Sequence, residues 1–253
     1  MTPQQKKNRI LLVGIFALSI VPFMIAWRLS LNTEWLSSRR TTNNGELIQP
    51  PVMTERTDLS AYDDTALPKM PELPGRWLIA NVIPKPSCSA VCLQAILQTR
   101  QLQLMLNKDM LRTRRIVVVF DKLDSEAASQ LWLKEALMWR LLDAGNKEDA
   151  TANNDALLYD GLLSPDKKVD ETLLSRLVGE QNGETVLQSE LVKVAPSPAL
   201  RKKMAEIRKG DIPEGMLFLI DPLGNIMMQY EPGFDPYKVK SDLMQLLRIS
   251  QIG

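Results

Sequence analysis

Apolar and polar positions divide the chain into stretches of different character. Residues 10–27 carry no charge and are almost wholly apolar, and eighteen such residues reach the lower limit for a helix crossing a bilayer core. Lys6, Lys7 and Arg9 precede them in a nine-residue tail. The run is longer than the usual core of a secretory signal, and Trp27-Arg28-Leu29-Ser30-Leu31-Asn32 lacks an Ala-x-Ala cleavage site, so it predicts an uncleaved anchor. Residues 28–75 are polar and punctuated by Pro50, Pro51, Pro68, Pro71 and Pro74, a composition that predicts an extended tether. Residues 76–253 hold the remaining strong apolar patterns and predict one α/β domain, with a polar insertion near 144–161 rich in Asn, Asp, Lys and Gly.

Inside that domain the pattern is regular. A short apolar run at 77–82 predicts a buried strand, followed by a turn at Pro84 and Pro86. Over 88–107, Cys88, Cys92, Ala95, Ile96, Thr99, Leu102 and Leu106 recur at three- and four-residue spacing, the mark of a helix with one buried stripe. The β-branched run 116–120 predicts an interior strand. Asp124 or Ser125 then caps a helix reaching about Asp143, with Gly145 beyond it. Strand, helix, strand, helix is the order of a parallel sheet with right-handed crossovers. A short helix is predicted at 170–179 and a strand at 185–194. Ser197-Pro198 opens a basic helix ending at Lys209. Residues 216–220 and 226–230 flank the turn Asp221-Pro222-Leu223-Gly224-Asn225 as a hairpin, and Asp235-Pro236 caps a last helix with Val239, Leu243, Leu246 and Leu247 on its apolar face.

Charge narrows the function. The 31 basic and 30 acidic side chains leave a formal net charge of +1, which argues against nucleic acid as a partner. The chain has no histidine, so no Ser-His-Asp or Cys-His nucleophile, histidine zinc site or imidazole base can form. What remains is sulfur. Cys88 and Cys92 are the only cysteines, in Ser87-Cys88-Ser89-Ala90-Val91-Cys92. A chain of 253 residues buries a core without staples, and a loop this short gains only about 2 kcal/mol from closure. The pair therefore suits disulfide exchange, a static bridge, or a soft ion such as Cu(I), for which Met216 offers a third sulfur. For exchange, Cys88 at the helix start is the nucleophile and Cys92 the resolving thiol. The basic residues Arg201, Lys202, Lys203, Arg208 and Lys209 read as a solvated helix face.

The strand, the cysteine pair opening a helix, the second strand and the closing hairpin and helix resemble a thioredoxin-like domain: a central mixed sheet flanked by helices, here behind a single transmembrane helix. Within that superfamily the chain is most similar to the Sco family of membrane-anchored copper chaperones for cytochrome c oxidase. Cys88 and Cys92 match that family's Cys-x-x-x-Cys, Asp121 and Asp124 its acidic loop, and Asp221-Pro222-Leu223-Gly224 its Asp-Pro-x-Gly turn. Two positions depart from it: Leu93 replaces a proline, and the copper-binding histidine would fall near Pro213. The resemblance implies a thiol-disulfide or copper-handling role in oxidase assembly, with Cu(I) at Cys88 and Cys92 and with protein thiols or membrane-bound assembly factors as partners. A disulfide-working pair also favours an oxidising compartment. The expected topology is residues 1–9 in the cytoplasm, 10–27 in the bilayer and the domain in the periplasm. A non-catalytic adapter that uses the fold as a docking surface is the alternative.

Overall fold

The computed structural model describes residues 3–31, 43–144, 169 and 191–250, which fall in two units divided between Thr42 and Asn43. The first unit is helix α1 (Pro3–Leu31), in which Lys7–Arg28 is long and apolar enough to cross a membrane. It extends beyond the predicted 10–27 at both ends. Lys7 and Arg28 carry long aliphatic stems, which allows them to sit at helix ends with their charges directed toward water.

The second unit contains, in chain order, β1 (Glu46–Val52), β2 (Leu59–Ala61), β3 (Trp77–Ile83), α2 (Ala90–Met105), β4 (Thr113–Val119), α3 (Ser125–Ala144), β5 (Val192–Pro196), α4 (Pro198–Arg208), β6 (Leu217–Ile220), β7 (Ile226–Tyr230) and α5 (Pro236–Ile249). The strands form one seven-stranded sheet in the order β1-β7-β6-β3-β4-β5-β2. β3, β4 and β5 run parallel, as crossovers through α2 and α3 require, and β6 and β7 return antiparallel. This is the thioredoxin-like α/β arrangement expected, with a mixed central sheet and helices on both faces.

Local chemistry sets the helix ends. Ser197 Oγ accepts from Leu200 N at 3.1 Å with Pro198 at the first helical position, and Asp235 Oδ1 accepts from Tyr237 N at 2.9 Å ahead of Pro236. Asp124 Oδ2 accepts from Ala127 N at 3.3 Å at the start of α3. Strand alternation then separates two cores. Leu78, Ala80, Val82, Ile116, Val118, Phe218 and Ile220 face Leu200 and Met204 of α4. Ile83, Val117 and Val119, together with Ile79, Leu217 and Leu219, face α2, α3 and α5. Along α2 the predicted stripe from Cys92 to Leu106 is buried. So are Leu93, Leu97, Arg100 and Gln103, because the helix touches α3 and α5 as well as the sheet.

The predicted tether is corrected from Asn43 onward. Residues 46–52 add an edge strand against β7, and residues 59–61 pair with β5 at the opposite edge. Between β2 and β3, Ala66, Met70 and Leu73 pack on the core. The prolines fit because β1 has one neighbour among the described strands, and its register shifts between Leu47 and Val52, around Pro50 and Pro51. The domain thus begins some thirty residues before Arg76, about 100 Å of fully extended backbone that the tether reading left outside it. Among the other predictions, residues 145–161, the helix at 170–179 and most of the strand at 185–194 lie outside the described residues; β5 itself runs Val192–Pro196.

Candidate functional site

The site lies where β3 gives way to α2. Pro84 and Pro86 carry the chain out of the sheet, and Ser89, extended at φ −72° and ψ 178°, is the N-cap of α2. Its carbonyl accepts the first helical bond, from Leu93 N at 2.9 Å. Cys88 therefore precedes the helix and only Cys92 lies within it, so the predicted helix start at 88 moves two residues on, to Ala90. The two cysteines are joined in a disulfide with their Cα atoms 5.3 Å apart. Cys92 is buried against Ile83, Ile96 and Val119, whereas Cys88 is half-buried at the edge of the same cluster. Chemically this gives the bridge an outer and an inner sulfur. Of the two, Cys88 is the sulfur that an incoming thiolate would meet first, and Cys92 the one it would displace.

A second segment closes over the first turn of α2. The Glu214 carboxylate, in the loop between α4 and β6, accepts from Ser89 N at 3.0 Å, and Lys85 Nζ stands 3.6 Å from its other oxygen. Burial opposes the ionised form of Glu214. Hydrogen bonds from the Ser89 hydroxyl and N–H, with the Lys85 charge, outweigh that and hold its carboxyl below the usual glutamate value. Gly215 has φ +81°, and a Cβ there would lie 2.9 Å from Val91 Cγ1 and 3.0 Å from Val91 O. Only a residue without a side chain lets the loop approach the Cys-x-x-x-Cys backbone this closely. Glu214 was not among the residues singled out in the sequence; it neighbours Pro213, where the resemblance placed the histidine, but its contact with Ser89 is made by a loop distant in the chain.

Met216 does not join the sulfurs. It is fully buried in the core on the opposite face of the sheet from Cys92, and its carbonyl accepts from Val82 N at 3.2 Å. The donor set for Cu(I) is then two sulfurs, joined here as a disulfide and available as thiolates only after reduction, with no third soft ligand beside them among the described residues, and this does not fit a tight copper site. Among the described residues no group of three or more Cys, Asp or Glu side chains is placed to hold a metal ion.

The remaining singled-out residues lie elsewhere. Asp121 pairs with Arg201 at 3.1 Å, and the Arg201 guanidinium lies over the Phe120 ring, 4.7 Å from its centroid, and also donates to Phe120 O. Asp124 caps α3. The basic residues of α4 are largely occupied: Arg208 with Glu231, Lys202 with Glu206, and Lys203 donating to Met53 O at 2.8 Å.

Fold and site together define a mixed α/β domain of thioredoxin-like arrangement, with a disulfide-bonded cysteine pair at the entry to its first sheet-packed helix. A family model described as "Transmembrane-like, thioredoxin-like, C-terminal domain" matches residues 164–250. Solved structures similar to the chain include apo Sco1 from Thermus thermophilus, at 12% identity and a TM-score of 0.39, covering 83% of this chain and 99% of that one. Another is a SCO1/SenC family lipoprotein from Bacillus anthracis strain Ames, at 14% identity and a TM-score of 0.33, covering 79% of this chain and 99% of that one. No curated protein matches the chain.

Proposed function

We propose that the chain is a membrane-anchored thiol-disulfide exchange protein acting on the periplasmic side of the cytoplasmic membrane, in the assembly of cytochrome c oxidase. The observation that carries the exchange reading is the placement of the Cys88–Cys92 disulfide at the start of α2, with Cys88 alone reaching toward solvent. In the reduced protein the Cys88 thiolate attacks one sulfur of a partner disulfide and expels the other as thiolate. Cys92 then attacks the Cys88 sulfur of the mixed disulfide, releasing the second partner thiol and re-forming the intramolecular bridge. Two electrons and two protons pass to the partner.

The oxidase context rests on the resemblance of the cysteine motif and the Asp-Pro-x-Gly turn, and the anchor on the apolar length of α1. Residues 1–9 stay in the cytoplasm and 10–27 span the bilayer in this reading, and the partners are protein thiols of oxidase subunits or assembly factors. Copper handling in this reading is indirect: the thiol pair prepares cysteines elsewhere as ligands, since this chain offers Cu(I) two thiolates and no histidine.

Complementation tests the reading against a purely adhesive adapter. In a strain lacking the protein, a Cys88→Ser, Cys92→Ser double variant expressed at the wild-type level is expected to leave oxidase activity as low as in the deletion. Full restoration by that variant would show that the fold works without its sulfurs.

A further inference from the structure

The Glu214 carboxylate lies against the end of α2 where the chemistry of Cys88 takes place. A helix start presents unpaired N–H groups and the positive end of the helix dipole, features that elsewhere stabilise thiolates. Here the N–H of Ser89, the residue next to Cys88, is already taken by Glu214 at 3.0 Å. The carboxylate side chain is only 16% exposed, so solvent screens it weakly, and the balancing ammonium of Lys85 is 69% exposed. The close approach of Gly215 to Val91 holds the loop in place. A fixed negative charge thus occupies the N–H of the residue that follows Cys88, a position that disfavours a thiolate at Cys88 and leaves the neutral disulfide unaffected.

Resting on the exchange reading above, we infer that Glu214 is a positioning residue that sets the redox poise of the Cys88–Cys92 pair, holding it toward the disulfide and so making the reduced domain a donor of electrons to partner disulfides. The reaction balances as two thiols of this domain and one partner disulfide going to one disulfide here and two partner thiols. The domain is re-reduced by a dithiol donor in its own compartment, in the same exchange run the other way.

The test is equilibration of the full-length protein with a reduced and oxidised glutathione series at pH 7, followed by alkylation and mass measurement of the reduced fraction. Glu214→Gln keeps an oxygen to accept from Ser89 N–H but removes the charge, whereas Glu214→Ala removes both. The expected result is that both variants shift the equilibrium toward the dithiol by about threefold to tenfold, with faster alkylation of Cys88 in the reduced protein. An unchanged equilibrium in folded Glu214→Gln, even with a shift in Glu214→Ala, would mean that the loop acts only as a cap and would overturn the inference. A wild-type bridge that does not exchange with glutathione at all would overturn the exchange reading itself, an outcome visible before any variant is compared.

Discussion

The Tyr230 hydroxyl donates to the Asp242 carboxylate at 2.9 Å, and the same carboxylate accepts from the backbone N–H groups of Asn44 and Gly45, each at 2.9 Å at closest, and from Asn44 Nδ2 at 2.9 Å. One buried acid on α5 thereby ties the segment entering the domain to the sheet strand β7. Gly45 lies against the Tyr230 ring so closely that a Cβ would fall 2.4 Å from Cε1. Burial, and then the charge of Asp242, push Tyr230 far above its ordinary ionisation, so the phenol stays a donor throughout the physiological range. Asp242→Ala leaves a buried hydroxyl and two backbone N–H groups without their acceptor. It is expected to destabilise the domain by about 3 kcal/mol or more, measured by urea unfolding, and to admit protease cleavage around residues 43–53.

A second buried network lies beneath the helix that bears the site. Arg115 of β4 reaches Glu135 of α3 at 2.9 Å and the Ile96 carbonyl of α2 at 2.8 Å, and Arg100 reaches the same glutamate at 3.3 Å. Thr99 Oγ adds a bond to Asn81 Oδ1 at 2.7 Å. All these side chains are almost wholly buried, so removing Glu135 deprives two guanidinium groups of a carboxylate in a setting that water cannot repair. Glu135→Ala is expected to lower unfolding free energy by about 3–5 kcal/mol. Chemical denaturation of the oxidised protein measures it.

Acid is expected to loosen the domain at particular joints. Asp58 is held below its ordinary value by its hydrogen bond from Ser197, with the Glu55 backbone adding to the effect. For Asp63, burial works the other way, but hydrogen bonds from Lys193 and Thr65 overcome it, and Glu214 behaves likewise through Ser89 and Lys85. A carboxyl whose folded value is depressed adds stability above its unfolded value, and that stability is lost as the pH falls through the folded value. Thermal unfolding temperature should therefore be steady from neutrality down to about pH 5 and decline below it, with less decline in Asp58→Asn and Asp63→Asn, which start from a lower plateau.

Much of this fold was legible because its signals were local. The turn at Asp221, the capped starts of α4 and α5 and the β-branched centre of β4 depend on neighbours in sequence, and each lies within a residue or two of its predicted place. β1 and β2 carried no such signal. Only Ile48 is buried in β1, two prolines interrupt it, and β2 is three residues long, so their pairing with β7 and β5 is set by distant partners. β4 starts at Thr113 rather than Ile116 because Arg115, charged and so read as outside the strand, finds its carboxylate in the core. At the site, the cysteines were evident as a pair. Glu214 and the opposite-face position of Met216 were not, since both follow from how a loop 125 residues beyond Ser89 packs back onto the sheet.

The most direct measurement is the reaction of folded, full-length Cys92→Ala protein with an aromatic disulfide at neutral pH, followed by release of the coloured thiolate and by mass mapping. One equivalent of thiolate is expected without denaturant, with a mixed disulfide on Cys88. A Cys88 that stays unmodified until denaturant is added would contradict it.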